Sequence, residues 1–179
     1  AEKNQGKIPY IFGCEESYGS LVSDFVRDKD AVQAVYLLAE IVNTLHLRKQ
    51  SIGTYLNEIY KKYGYYVEDT LSLTFKGIEG AKRMKQITEY VRQHGIDIQG
   101  FDVLKTTDYI GGITNDYDIY LPPSNVIKFE SKDGFIIFRP SGTEPKLKIY
   151  MSVCKKDKDT AQQIIDAYKD AINNFIERI

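Results

Sequence analysis

An α+β fold is predicted for this 179-residue chain: a C-terminal antiparallel sheet with helices on one face, preceded by an incomplete α/β segment. Four apolar runs, Phe101 to Tyr109, Asn125 to Glu130, Gly134 to Phe138 and Lys146 to Val153, follow one another as strands, with two helical patterns set apart from them. Asp133-Gly134 adds a strong hairpin signal between two of the runs. Antiparallel sheets of this kind bury one face under helices and leave the other to solvent.

Taken in chain order, Lys7 to Phe12 (KIPYIF) has the composition of a strand, and a Gly- and Glu-rich loop follows it. No earlier strand or helix accompanies it, so the first piece is expected to be the remainder of a larger domain. Asp30 is placed to cap a helix whose apolar positions, Val32, Val35, Leu38, Ala39, Val42 and Leu45, form a stripe wide enough to need burial on more than one side. Ser51 opens a second helix that turns Ile52, Tyr55, Leu56 and Ile59 inward and stops near Tyr63-Gly64.

Beyond Gly64, Thr70 to Phe75 (TLSLTF) alternates as a strand. A helix from about Ile78 to Gln93 follows, with Ile78, Ala81, Met84, Ile87 and Val91 inward and Gly95 closing it. Residues 110–124 have turn chemistry and no period, and are read as a loop. The last helix runs from about Asp159 to Ile179 with Ala161, Ile164, Ile165, Tyr168, Ile172, Phe175 and Ile176 on one face. The boundary between the helical first piece and the compact second domain is expected near residues 61–70.

Acidic and basic residues nearly cancel, leaving a net charge of −1, so no broad basic field favours nucleic acid and any anion site must be local. The most apolar stretch, Ala31 to Leu47, is interrupted by Gln33, Glu40, Asn43, Thr44 and His46, which argues against a membrane span. Cys14 and Cys154 sit in no metal-ligand spacing, and with no targeting segment in view a cytoplasmic protein is expected. His46 lies in a helical apolar pattern and His94 at a helix end, both structural or solvated positions.

Arg139 to Lys146 (RPSGTEPK) is a stiff, cationic, hydroxyl-rich turn between two apolar strands. Its chemistry describes a phosphate. Arg139 offers a planar fork for two oxygens, Ser141 and Thr143 offer hydroxyls, Gly142 lets backbone N–H groups come close, and Lys146 adds a second positive group. Pro140 and Pro145 limit how far the loop can move. An ordinary hairpin also draws on Pro, Ser and Gly. This one is longer than two strands need and carries a cation at each end.

A second constellation, Gly13 to Gly19 (GCEESYG), follows the first predicted strand, where α/β sheets commonly place ligand-binding residues. Two carboxylates and a hydroxyl can read vicinal sugar hydroxyls, and a mispaired group then rejects an epimer. A solvated acidic loop would look the same. Glu15 and Glu16 point opposite ways on an extended chain, so they are not read as a cooperating acid and base.

With these residues in view the chain resembles the alpha-D-phosphohexomutases, the phosphoglucomutases and phosphomannomutases. Glu15-Glu16-Ser17 resembles the sugar-reading loop of that family's third domain, and Arg139 to Lys146 resembles the phosphate loop of its fourth. Arg27-Asp28-Lys29-Asp30 at the head of a helix also fits. The resemblance implies sugar contacts from Glu15 and Ser17, a basic ligand contact from Lys29, and contacts from Arg139, Ser141, Gly142, Thr143 and Lys146 to the non-transferring phosphate. It implies a fourth domain similar in shape to the TATA-binding-protein fold at residues 64–179, and the end of the third domain at residues 1–63.

The family's phosphoserine loop and its Asp-Gly-Asp-x-Asp magnesium loop do not occur in these residues. The resemblance therefore implies magnesium in a full-length parent, none bound by this chain, and no phosphoryl transfer by this chain alone. The implied substrate is a hexose phosphate. The double glutamate with Lys29 resembles the phosphoglucomutase branch. Phosphomannomutase and pentose-phosphate mutase remain alternatives within the family, and a non-catalytic phosphosugar-binding module is the alternative outside it. Oligomeric state is not legible.

Overall fold

The computed structural model describes residues 10–15, 19–114 and 119–179, which divide into two compact units between Ile59 and Tyr60. In the first unit, β1 (Gly13–Cys14) pairs antiparallel with β2 (Ser20–Leu21), followed by α1 (Ala31–Leu47) and the greater part of α2 (Ile52–Tyr63). Asp30 caps α1 as expected, its carboxylate accepting from the N–H of Val32 at 2.8 Å and of Gln33 at 3.4 Å. The Gln33 amide oxygen in turn accepts from the N–H groups of Val22 and Ser23, which fastens the end of β2 to the helix. The strand expected at Lys7 to Phe12 is not seen in its described part: Tyr10 to Phe12 pair with no described strand, although the Tyr10 hydroxyl donates to the Leu21 carbonyl at 2.7 Å. Within its unit α1 buries Leu45, while Val32, Val35, Leu38 and Val42 stay exposed.

The second unit contains β3 (Tyr65–Thr74), α3 (Gly77–His94), β4 (Lys105–Asp108), β5 (Ile113–Thr114), β6 (Tyr120–Leu121), β7 (Ile127–Glu130), β8 (Gly134–Pro140), β9 (Lys146–Lys155) and α4 (Lys158–Arg178). Five strands form one antiparallel sheet in the order β3-β9-β8-β7-β4. Alternation along each strand sorts the residues. Leu147, Ile149, Met151 and Val153 of β9, Ile136 and Phe138 of β8, and Ile127 and Phe129 of β7 are buried on one face. Ile87 and Val91 of α3 cover that face together with Ala161, Ile165, Tyr168 and Ile172 of α4, spaced by three and four residues along a single helical stripe. Both helices of the unit therefore pack on one side of its sheet. The Arg83 guanidinium ties them together by donating to the Ile176 carbonyl at 3.0 Å.

Several sequence expectations are corrected. The strand expected from Thr70 begins at Tyr65, because all ten residues of β3 pair with β9. Asp69 breaks its apolar alternation on the helix-facing side, and Lys169 of α4 meets the carboxylate there at 2.8 Å. The strand expected over Phe101 to Tyr109 is confined to Lys105–Asp108. Phe101 is instead a core residue set edge-on against Tyr168, whose hydroxyl donates to the Gly100 carbonyl at 3.0 Å. Residues 110–124, read as a loop, contain the short ladder β5–β6, with Ile113 opposite Leu121 and Thr114 opposite Tyr120.

The Asp133-Gly134 hairpin is present, for a different reason than its turn signal. Gly134 does not adopt positive φ; it lies opposite Val153, where an added Cβ would stand 1.8 Å from the Ser152 carbonyl oxygen. Close approach of two strands is what requires glycine there.

The Lys169 ammonium, and behind it the Thr70 N–H, hold the Asp69 carboxyl below its ordinary value of 3.8, against the opposing effect of burial. A depressed folded-state value adds stability above the unfolded value and loses it as pH falls through the folded one. Asp69→Asn should therefore be less stable than wild type at neutral pH, with the gap narrowing at acid pH, below the ordinary carboxyl value of 3.8. Urea unfolding at the two pH values checks this, and an equal gap at both would show that the ion pair contributes nothing.

Candidate functional site

The connection between β8 and β9 is tighter than eight residues. Arg139 pairs with Lys148 and Pro140 with Leu147, and the Ser141 N–H donates to the Lys146 carbonyl at 2.8 Å, so the ladder continues and Gly142 to Pro145 make the bend. The ladder of β7 with β8 ends at Ile127 opposite Phe138, so Pro140 overhangs β7, where its missing N–H breaks no ladder bond. On the other flank, the Pro145 carbonyl accepts from the Phe75 N–H at 2.8 Å and anchors the bend to the exit of β3.

Inside the bend the Ser141 hydroxyl accepts from the N–H of Thr143 at 3.4 Å and of Glu144 at 3.3 Å, and lies 3.5 Å from the Thr143 hydroxyl. Serine at the first position of a turn holds the following backbone in this way. The Lys146 N–H donates to the Glu144 carbonyl at 2.7 Å, and the Lys146 ammonium stands 3.3 Å from the Glu144 carboxylate. Arg139 donates to the Tyr150 hydroxyl at 3.3 Å. Arg139, Ser141, Gly142, Thr143 and Lys146, singled out from the sequence, all line one open cleft of about 440 Å³. An added Cβ at Gly142 would meet no atom within 4 Å, so the protein itself leaves the space above that residue open.

Lys148 also lines this cleft and lies outside the contiguous motif that the sequence singles out. Because Arg139 and Lys148 are directly opposed in an antiparallel ladder, their side chains leave the same face of the sheet, the one away from α3 and α4. The signal was present: the buried positions 147, 149, 151 and 153 leave 146, 148 and 150 on the opposite face. Lys148 lies 5.9 Å from the Tyr150 ring centroid, so one tyrosine steadies both cations.

In the first unit, Glu15 and Lys29 are brought together, with the ammonium 3.2 Å from the Glu15 carboxylate and 2.7 Å from that of Asp28. The bridge between β1 and β2 brings the two ends of the loop together, and the Glu15 N–H donates to the Gly19 carbonyl at 2.7 Å. A Cβ on Gly19 would fall 2.1 Å from Lys29 Cδ, so glycine leaves the path by which Lys29 crosses to Glu15. Asp28 first, and Glu15 after it, hold the Lys29 ammonium protonated above its ordinary range. Ser17 and Glu16 lie outside the described residues.

Two family models match the chain: "phosphoglucomutase/phosphomannomutase, alpha/beta/alpha domain III" over residues 1–63, and "phosphoglucomutase/phosphomannomutase, C-terminal domain" over residues 78–171. A phosphoglucomutase of Staphylococcus aureus (strain MSSA476) is 40% identical over 162 residues, covering 86% of this chain and 29% of that protein. One from Staphylococcus saprophyticus is 38% identical over 173 residues, covering 93% of this chain and 31% of that protein. The chain thus spans less than a third of the length of these relatives. Among solved structures, the open form of pp63/parafusin, a phosphoglucomutase from Paramecium, matches 94% of this chain and 31% of its own, with a TM-score of 0.61 at 21% identity, a likeness of fold.

Ser141→Ala should loosen the bend without unfolding the sheet. Exchange of the Thr143 and Glu144 amides is expected to rise, while global stability changes by no more than about 1 kcal/mol, because the hydroxyl bonds are exposed. Unchanged exchange at those two amides would show that the hydroxyl does not hold the loop.

Proposed function

The chain belongs to the phosphoglucomutase/phosphomannomutase family, and from that premise we propose that it is the sugar-reading and phosphate-holding part of an enzyme that interconverts glucose 1-phosphate and glucose 6-phosphate through a bisphosphate. The observation that carries this proposal is the cleft in which the Arg139 fork, the Ser141 and Thr143 hydroxyls and the opposed Lys148 share one open face. Residues 1–63 are the end of the third domain and residues 64–179 the fourth. That the relatives are phosphoglucomutases supports glucose over mannose.

A bisphosphate that turns over in the site presents its idle phosphate from either end of the sugar. The cradle must then bind a dianion whatever carbon bears it. A guanidinium fork and two hydroxyls suit that task, since they recognise the oxygens and ignore the ester carbon. Lys146 contributes less than Arg139, because Glu144 already engages its charge. Gly142 leaves room for the phosphate to approach the backbone N–H groups of the bend. At the other loop, Glu15 accepts from sugar hydroxyls and Lys29 meets the ligand's negative charge, with Ser17 the remaining sugar contact. Lys29 exchanges its bond to Glu15 for the ligand.

Magnesium is implied by the family. Among the described residues no group of three His, Cys, Asp or Glu side chains could hold a metal ion. The part played by this chain is binding and orientation.

Titration of the chain with glucose 1-phosphate, followed by NMR, is expected to give saturable shifts at residues 139–146, with accompanying shifts at residues 13–19. Arg139→Ala should weaken binding by about 10- to 150-fold, the equivalent of a charge-assisted contact of roughly 1.5 to 3 kcal/mol. Absence of shifts in the 139–146 loop at high millimolar ligand would sink the cradle. The chain alone is also expected to make no glucose 6-phosphate from glucose 1-phosphate in a coupled dehydrogenase assay, and turnover there would overturn the division of labour proposed for it.

A further inference from the structure

The end of β9 remote from the phosphate cradle meets the last turn of α2 in a second cleft, of about 560 Å³, within the 60–179 unit. Ten residues of extended chain, roughly 30 Å, separate it from Lys146. Lys61 and Lys62 enter it from α2, Lys155 and Lys156 from the end of β9, and the carboxylate that lines it is Asp133. Four lysines against one carboxylate leave three positive charges in a chain whose net charge is −1. Asp133 is already paired with Lys155. Among the described residues the Lys61 and Lys156 ammonium groups have neither an ion-pair nor a hydrogen-bond partner. Basic residues in the last turn of a helix complement its dipole, which accounts for Lys61 and Lys62. It does not account for their convergence with Lys155 and Lys156.

The floor of this cleft is fixed. Tyr60 stacks on Tyr65 at 4.9 Å, Cys154 Sγ lies 3.7 Å from the Tyr63 carbonyl, and the Cys154 N–H donates to the Asp133 carbonyl at 2.7 Å. Gly64 makes the junction possible with φ +98°, and a Cβ there would lie 2.7 Å from Cys154 Sγ. Above the floor, Lys62 sits 4.9 Å from the centroid of the Tyr63 ring, which is 60% exposed. The site is thus a rigid base with flexible cations around it, an arrangement that limits ordering on binding to the lysine side chains.

We propose that this cleft is a second anion site, for a ligand carrying a chain of linked phosphates, separate from the cradle at Arg139. Its chemistry differs from that of the cradle in the sense the ligand requires. A single phosphate is recognised by a planar fork and hydroxyls in fixed positions, whereas lysines on flexible stems act as point charges that can follow an extended polyanion. Among the described residues no arginine lines the cleft, and its side-chain hydroxyls are those of Tyr60 and Tyr63. Affinity consequently rises with the number of linked phosphates and falls with salt. The exposed face of Tyr63 offers a stacking surface if the phosphate chain belongs to a nucleotide.

The probe is inorganic tripolyphosphate, titrated by NMR into the 179-residue chain as wild type, as the double variant Lys61→Gln/Lys156→Gln, and as Arg139→Ala. Saturable shifts at the amides of residues 61–64 and 154–156 are expected, unchanged in Arg139→Ala and weakened about tenfold in the double variant. Both substituted lysines are exposed, so the double variant should keep the wild-type melting temperature and a folded spectrum. Shifts confined to residues 139–146, or binding at the second cleft that is indifferent to the two lysines, would overturn the proposal. A parallel titration with ATP separates the sources of the phosphate chain. Tighter binding than tripolyphosphate with shifts of the Tyr63 ring assigns a nucleotide, and equal or weaker binding assigns the phosphate chain alone.

Discussion

Everything in the larger unit depends on β9 being paired along its whole length. Ten consecutive residues are matched to β3 on one side, and seven of them to β8 on the other. A strand held on both flanks cannot slip by one residue, because a slip would exchange every buried side chain for a solvated one. That lock separates two jobs within one strand. Leu147, Ile149, Met151 and Val153 belong to the core with the helices, while Lys146, Lys148 and Tyr150 belong to the opposite face. The spacing between Arg139 and Lys148 is therefore fixed by backbone bonds, with no contribution needed from either side chain.

The same lock explains why a short, exposed bend can still be a defined ligand surface. Residues 141–145 bury little of their own, yet each end of the bend is inherited from a strand, and Ser141, Pro145 and Phe75 close the remaining freedom. Rigid elements that present a small number of polar groups are the usual foundation of a binding site. The smaller constellation at Glu15 and Lys29 rests on less: a two-residue bridge and a network of charge between exposed side chains.

The helices were legible because a period of 3.6 leaves a long trace. The bounds of all four helices follow from the sequence to within a residue or so. Strands were legible where alternation was clean, as in β8 and β9, and obscured where a polar residue faces the core or the apolar residues lie outside any ladder. Tyr65 to Asp69 carries no strand signal because Asp69 occupies a core-side position that Lys169, a hundred residues away in sequence, makes tolerable together with the Thr70 N–H. Phe101 carries a strand signal although it packs beneath the sheet, because sequence cannot tell an apolar residue in a ladder from one that packs beneath it. At the cleft, Arg139, Ser141, Gly142, Thr143 and Lys146 were visible as one contiguous motif, whereas Lys148 required knowledge of the register across the hairpin. Local chemistry is written locally; what two strands do together is written in neither alone.

One detail of β3 reaches beyond folding. In the sheet order β3 is an edge, and an edge strand offers the N–H and C=O groups that turn away from its partner as a template for a neighbouring molecule. Asp69 points from that edge toward the helices, where Lys169 receives it. A second chain that docked along β3 to extend the sheet would have to lay its own strand beside an inward-pointing charge already engaged by Lys169. A residue that looks like a flaw in the apolar pattern is thus also the kind of inward charge that disfavours extension of an edge.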